Sequence, residues 1–385
     1  MSKTTADLTH PRATTRQESD QGFASVMTPD AEIVRPGPEQ LVTVKSPVAV
    51  SIIIKTLNEQ ANIARAIESA LAALVGLNGE VIVADSLSTD QTVAIAVDYP
   101  VTVVQLCNPG DRCCGVGPQL GFQYASGEFV YILDGDMELD AGFVATAIAY
   151  LRAHPDVAGV GGIVEELGGG NYEFEARKSQ DASWGVPGEQ AWLEMGGLYR
   201  RDAVVRAGYF SNRNLHAYEE QDLGLRLGIT AGRLVRLPTP AVRHYGRQEA
   251  SWALMKRRLA TRYSDGSGEL VRAAIGTPLL WPTLRSQIKL AAMAALWSWS
   301  AVGLLMLPWT PWPLVSAGAV LLMLAILFVV RKRDLSQAFL GLMNWQLRTF
   351  GFVRGLLRSQ VPPTTWIESR VCAVPAVDAA LADGH

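Results

Sequence analysis

The chain has 385 residues, 49% of them hydrophobic and only 18% charged. Soluble chains average about 25% charged residues, so the composition excludes a wholly disordered chain and a nucleic-acid-coating protein, and no nucleic-acid partner is expected. The net charge of −3 hides a division, with residues 1–230 summing to −14 and residues 231–370 to +13, which points to different partners for the two parts.

Residues 1–46 are rich in Thr, Ser, Asp, Gln and Pro and lack an apolar run. They are predicted to be a disordered arm without a signal-peptide core, which leaves the N-terminus in the cytosol. Cys107, Cys113, Cys114 and Cys372 have no metal-ligand spacing and read as reduced thiols of that compartment.

From Val48 the texture changes. Val48–Ile54 is a near-continuous β-branched run, as in a strand buried on both faces of a parallel sheet. Thr56-Leu57-Asn58-Glu59 turns the chain, and 61–75 carries apolar residues at helical spacing. Further strands are predicted at 80–84, 101–106 and 129–133, with a short helix from Thr92 and another over 118–125. This alternation means right-handed βαβ units and an open α/β sheet, in which ligands sit beyond the carboxyl ends of the strands. Asn58, Asp85, Asp134 and Asp136 fall at those ends. Residues 155–245 read as more mixed, with strands at 157–164, 194–200 and 234–237, a turn at Gly168–Gly170 and a helix over 220–228.

Two apolar spans follow, at 288–307 and 313–330. At about 1.5 Å per residue they reach roughly 30 and 27 Å, enough to cross a bilayer core. Pro308-Trp309-Thr310-Pro311-Trp312 breaks the helix between them, and Lys256, Arg257, Arg258, Arg285 and Arg331-Lys332-Arg333 flank the pair. The positive-inside rule then gives a multi-pass inner-membrane protein with its α/β domain facing the cytoplasm and its short loop outside. Beyond the hairpin, Leu335, Phe339, Met343, Phe350, Val353 and Leu357 recur at helical spacing among arginines, as in an interfacial amphipathic helix against membrane lipids, with a third spanning helix as the alternative that the internal arginines disfavour. The expected organisation is an arm (1–46), two halves of an α/β domain (47–150 and 151–275), a transmembrane hairpin (276–334), an interfacial helix (335–360) and a flexible tail (361–385).

Asp134-Gly135-Asp136 is the most informative local feature. Paired carboxylates at a sheet end can share a hard divalent cation, and Mg²⁺ or Mn²⁺ takes few protein ligands and completes its shell with phosphate oxygens and water.

Around this pair the chain resembles family 2 glycosyltransferases of the GT-A fold, over about residues 48–246. The resemblance is carried by Ser51-Ile-Ile-Ile-Lys-Thr-Leu-Asn-Glu-Gln60, by Asp85-Ser-Leu-Ser-Thr-Asp-Gln-Thr92, and by the segment ending in Asp134-Gly-Asp136. Met195-Gly-Gly-Leu-Tyr-Arg-Arg201 and Tyr218-Glu-Glu-Gln-Asp-Leu-Gly-Leu-Arg226 complete it. It implies a nucleotide-sugar donor, UDP-linked by preference, with Thr56, Asn58 and Glu59 lining the nucleotide pocket and Asp85 accepting an N–H of the base. Asp134 would contact ribose or metal, Asp136 would hold the metal, and His244 matches a histidine found near metal and diphosphate in some such enzymes. Glu220 occupies the position of the catalytic base, and the outcome would be inversion; Asp222 beside it in the acidic cluster is a candidate either for the chemistry or for binding backbone and Arg226. Trp184 and Trp192 are candidates to stack on a sugar, and Asp90 reads as a turn or helix-capping residue.

The chain departs from the family at three places. Lys55 replaces a proline, Ser86 replaces a second aspartate, and Glu220 replaces aspartate, which leaves Glu219 as a rival base. The Gln-x-x-Arg-Trp of processive polymerases does not follow His244. Single-sugar transfer to a lipid-linked or glycan acceptor is therefore expected. Transfer to a polyprenyl phosphate is the nearest alternative, and a catalytically inactive scaffold is an alternative of another class.

Overall fold

The computed structural model describes residues 48–167, 185–230, 232–246 and 249–375. The expected arm, the turn at Gly168–Gly170, Trp184 and the last ten residues of the tail lie outside them. The first strand, β1 (Val50–Thr56), shows how the sheet is made: Val50, Ile52 and Ile54 point into one apolar layer and Ile53 into the other, all without solvent exposure. A strand buried on both faces has no polar side to present, hence the unbroken β-branched run.

β1 runs parallel to β2 (Gly79–Asp85) on one side and to β4 (Phe129–Asp134) on the other, and β2 to β3 (Thr102–Leu106). Among the described residues the sheet order is β10-β3-β2-β1-β4-β8-β6-β9-β5, with β7 (Gly188–Gln190) also paired to β9. Here β5 is Met137–Leu139, β6 Val157–Glu166, β8 Gly197–Arg200, β9 Arg233–His244 and β10 Ser369–Ala373. One layer of helices holds α1 (Ile63–Ala73), α2 (Thr92–Ala96) and α4 (Phe143–Ala153), whose Ile67, Ala70, Phe143 and Leu151 pack on β1 and β4. The other layer holds α3 (Val116–Tyr124), α5 (Arg201–Arg206) and α6 (Glu219–Thr230), through Val116, Leu120, Val204 and Leu227. Strand order reverses at β1 and β4, the switch point where open α/β sheets bind ligands.

Two expectations are altered in the second half. The strand expected at 234–237 extends through Pro238 and Pro240 to His244, with register shifts against β6. Prolines cannot donate to a ladder, so they mark irregularity rather than the end of this strand. The strand expected from Glu194 begins at Gly197, because Met195 and Gly196 both take left-handed backbone (φ +61 and +97).

After β9 come α7 (Ser251–Ala260), α8 (Gly266–Ala274), α9 (Leu280–Ser286) and two long apolar helices, α10 (Ile288–Met306) and α11 (Trp312–Lys332). The last two have windows of mean hydropathy 1.5 and 2.6 that are only 17% and 6% buried, so both are long and apolar enough to cross a membrane. Trp309 and Trp312 are exposed at the turn between them.

The helix expected to lie on lipid, α12 (Leu335–Leu356), instead docks its C-terminal half on the protein. Gly268 faces the Phe352 carbonyl so closely that a Cβ would sit 1.9 Å from that oxygen. Arg354 donates to both oxygens of Asp265, each at 2.7 Å, and Arg358 reaches Glu269 at 2.7 Å. Two of the arginines that suggested headgroup contact, Arg354 and Arg358, are thus engaged by buried carboxylates. The expected flexible tail also needs correction: β10 joins the exposed edge of β3 in antiparallel pairing, and Ile367 is fully buried. A five-residue strand is too short to announce itself by periodicity, and its partner edge lies more than 260 residues away.

Candidate active site

Parallel register at the switch point makes Lys55 and Asp134 direct partners across β1 and β4, and Thr56 and Asp85 across β1 and β2. A cleft of about 610 Å³ opens there, lined by Lys55, Asp134, Trp192, Glu219, Glu220 and His244 among others. That volume suits a small-molecule site.

Lys55 is the hub. Its ammonium lies 3.2 Å from Asp134 Oδ1 and 3.0 Å from Glu219 Oε1. Burial alone would lower its pKa, but Asp134, Glu219 and Glu220 outweigh that and hold it well above the ordinary lysine value. Burial and the nearby Asp136 raise the Asp134 carboxyl against the pull of Lys55.

Glu219 and Glu220 open α6 directly after Tyr218, whose φ of +71 is left-handed. Acidic side chains in a first helical turn are favoured by the helix dipole. Adjacent helical positions diverge by about 100°, and of these two acids lining the cleft it is Glu219 that pairs with Lys55. Burial and the charge of Glu219, partly offset by Lys55, push Glu220 up to about 8. Asp222 is a different case. It is buried, and Arg226 contacts its Oδ2 through Nε at 2.9 Å and a second nitrogen at 2.8 Å. Arg226 also donates to the carbonyls of Ala207, Tyr209 and Phe210. This pairing, which the sequence left open beside a catalytic role, anchors α6.

At the metal end, His244 Nε2 lies 3.4 Å from Asp136 Oδ2, and its Nδ1 lies 2.9 Å from Glu166 Oε1. Burial would lower the imidazole pKa, yet these two carboxylates push it up to about 10. Asp134, expected as a third ligand, is turned to Lys55. Among the described residues no three His, Cys, Asp or Glu side chains converge as a closed metal site. The facing Asp136 and His244 still fit a hard cation that draws its other ligands from phosphates and water, since cis ligands at about 2.1 Å lie about 3 Å apart. Glu166 on the far imidazole nitrogen is the kind of partner that fixes a ligand's orientation. Gly135 must lack a side chain, because a Cβ there would meet Thr56 Oγ1 at 2.9 Å.

The nucleotide-binding candidates divide. Thr56 Oγ1 is buried and, among the described residues, without a hydrogen-bond partner. Asn58, left-handed at φ +57, accepts from the Thr89 N–H at 2.7 Å and donates its own N–H to Ser88 Oγ at 2.8 Å. Glu59 donates its N–H to Thr92 Oγ1 at 2.8 Å and accepts from Asn62. Asp90 accepts the Thr92 N–H at 3.0 Å, the turn role its sequence suggested. These contacts join the two loops that rim the strand ends. Asp85 is 0% exposed, and its oxygens already accept the Ser88 N–H and hydroxyl and the Gln105 amide at 2.7 Å. In this arrangement it holds the loop. Gln105 went unnoticed in the sequence, although its register opposite Asp85 at the end of β3 is a strand-end signal. Arg370 of β10 donates to it at 2.9 Å. Trp192 is in the cleft, its indole N–H donated to Glu194 at 2.8 Å. Arg258, Asn344 and Arg348 also line the cleft without any local sequence signal, because they belong to helices beyond β9.

Residues 51–204 match the family described as Glycosyl transferase family 2. A 114-residue stretch is 34% identical to the low-salt glycan biosynthesis hexosyltransferase Agl6 of Haloferax volcanii, covering 29% of this chain and 27% of that protein. The mannosyltransferase PcManGT of Pyrobaculum calidifontis, solved with GDP-Man and Mn²⁺, shares the fold at 20% identity and a TM-score of 0.52, over 80% of this chain and 87% of its own. The chain therefore carries a family 2 glycosyltransferase domain on a GT-A-type open α/β sheet, followed by two apolar helices.

Proposed function

We propose that the protein is a membrane-anchored, inverting glycosyltransferase that moves one sugar from a nucleotide-sugar, UDP-linked by preference, to a hydroxyl of a lipid-linked glycan. The observation that carries this reading is Glu220, a carboxylate raised to about 8 in the cleft beside the Asp134-Gly135-Asp136 strand end. A base of that pKa is matched to taking a proton from an attacking hydroxyl near neutral pH. Glu219, held by Lys55, is the poorer base.

Asp136 and His244 would hold Mg²⁺ or Mn²⁺, which when bound neutralises charge on the departing diphosphate. Lys55 orients Asp134 and Glu219, and the Thr56 hydroxyl is available to the nucleotide. Glu220 accepts the acceptor proton as its oxygen attacks the anomeric carbon from the face opposite the diphosphate. The helices α10 and α11 anchor the enzyme in the cytoplasmic membrane, with basic residues before and after them on the cytoplasmic side and Trp309 and Trp312 outside.

The test is transfer by purified full-length protein. A panel of UDP- and GDP-sugars is screened for protection against heat, and the protecting donor is then supplied with a lipid-linked sugar and a divalent cation. Inverted product that requires the cation supports the reading. Retained configuration, or transfer undiminished by chelator, would overturn it.

A further inference from the structure

The loop that delivers the two acids of α6 is held from behind. His216, three residues before Glu219, is only 5% exposed, and its backbone N–H donates to Glu269 Oε2 at 2.9 Å. The other oxygen of Glu269 lies 2.9 Å from the His216 ring nitrogen Nδ1 and accepts from Arg358 at 2.7 Å. Glu269 belongs to α8 and Arg358 follows α12, so segments on either side of the apolar hairpin close on one loop residue. Glu269 is fully buried. Burial alone would raise its carboxyl pKa, yet the bonds from His216 and Arg358 hold it below the ordinary glutamate value. The backbone bond stands whichever ring nitrogen of His216 carries the proton. At the next residue, α8 comes so close that a Cβ on Gly266 would lie 2.6 Å from the Ala217 nitrogen.

Tyr218 follows with left-handed backbone (φ +71), a conformation that persists in a non-glycine residue only where the surroundings enforce it. From there the chain enters α6 directly, and the Asp222 N–H closes the first turn on the Tyr218 carbonyl at 3.0 Å. The direction in which Glu220 leaves the helix start is therefore set just after the grip on His216. His216, Glu269 and Arg358 are not among the residues lining the cleft, and all three lie beyond the matched family segment 51–204. We propose that Glu269 is a positioning residue for the transfer: with Arg358 it clamps His216, and the clamp aims Glu220 at the acceptor hydroxyl. This rests on the reading of Glu220 as the base. Misplacing a reacting group by about 1 Å can cost about 10²-fold in rate, which is the scale such a clamp protects.

Full-length protein in detergent is assayed with its donor and a lipid-linked sugar, and rates are expressed per UDP-binding site counted by calorimetry. The Arg358 side chain is 29% exposed and can be changed with less damage than Glu269, so both positions are used. Glu269→Gln should lower kcat by about 10²-fold and Arg358→Ala by about 10-fold. Donor KM and UDP affinity should stay within about 2-fold, too small a change to signal a lost hydrogen bond. Arg358→Lys should recover most of the Arg358→Ala loss. Adding either change to Glu220→Gln should lower kcat little further, because residues that act through one group are not additive. If Glu269→Gln yields no UDP-binding protein, Arg358→Ala and its lysine rescue decide. Wild-type kcat per site in the clamp variants would overturn the proposal, as would a loss confined to KM or a full second loss in the double variants. An active Glu220→Gln would remove the base and the clamp together. An inactive Glu220→Gln beside fully active clamp variants would remove the clamp alone.

Discussion

The Lys55 ammonium lies 3.0 Å from Glu219, and this contact separates two acids that are adjacent in sequence. Both line the cleft, but Glu219 is drawn to a cation it shares with Asp134. Lys55→Met would leave Asp134 and Glu219 with no cation between them. The loss should be roughly 2 kcal/mol of stability, less than for a fully buried pair because all three groups keep some solvent contact. Transfer should fall with it, as measured by thermal unfolding and steady-state rates on the same preparation.

The raised pKa of Glu220 has two consequences of known sign. As a base it must be ionised, so kcat/KM should climb as pH rises through about 8, and Glu220→Gln should lack that limb. For stability, the folded pKa exceeds the ordinary value of 4.5, so ionisation opposes folding. The penalty is absent below about pH 4.5, grows through the interval and is complete above about 8. Glu220→Gln should therefore raise Tm relative to wild type most at pH 9 and least at pH 4, which paired melts would reveal.

Asp222→Asn distinguishes anchoring from chemistry. Removing one charge from the buried pair with Arg226 should cost about 3 kcal/mol of stability. Protein that remains folded should keep most of its kcat. A normal melting temperature with abolished turnover would restore the catalytic role.

Arg370→Ala, or removal of residues 361–385, should raise the KM for the nucleotide-sugar several-fold with little change in kcat. Arg370 braces Gln105, which braces Asp85 and the loop at the strand ends. Binding that is uniform between ground and transition states shows in KM. An unchanged KM after truncation would separate β10 from the site.

Much of the first half was legible because its signals are local. The strand at Ile52–Ile54, the loop at Asn58 and the pair Asp134 and Asp136 each lie within a few residues of the pattern that reveals them. What was missed depends on pairings distant in sequence. Which of Glu219 and Glu220 is held in an ion pair is set by Lys55, more than 160 residues earlier. Asp85 looked like a base-recognition residue from its strand end, and only the packing of Gln105 shows it enclosed. The periodicity of α12 was visible, but an apolar stripe does not say whether lipid or protein covers it, and Gly268, Gly351 and Gly355 decided for protein. Arg348 could not be placed in the cleft without that docking.

The most direct measurement compares Glu220→Gln and Glu219→Gln in sugar transfer to a lipid-linked hydroxyl acceptor, with donor affinity measured in parallel. For Glu220→Gln, kcat should fall by about 10²–10⁴-fold while donor affinity is nearly unchanged. Glu219→Gln should keep measurable transfer. An active Glu220→Gln beside a dead Glu219→Gln would contradict the assignment of the base.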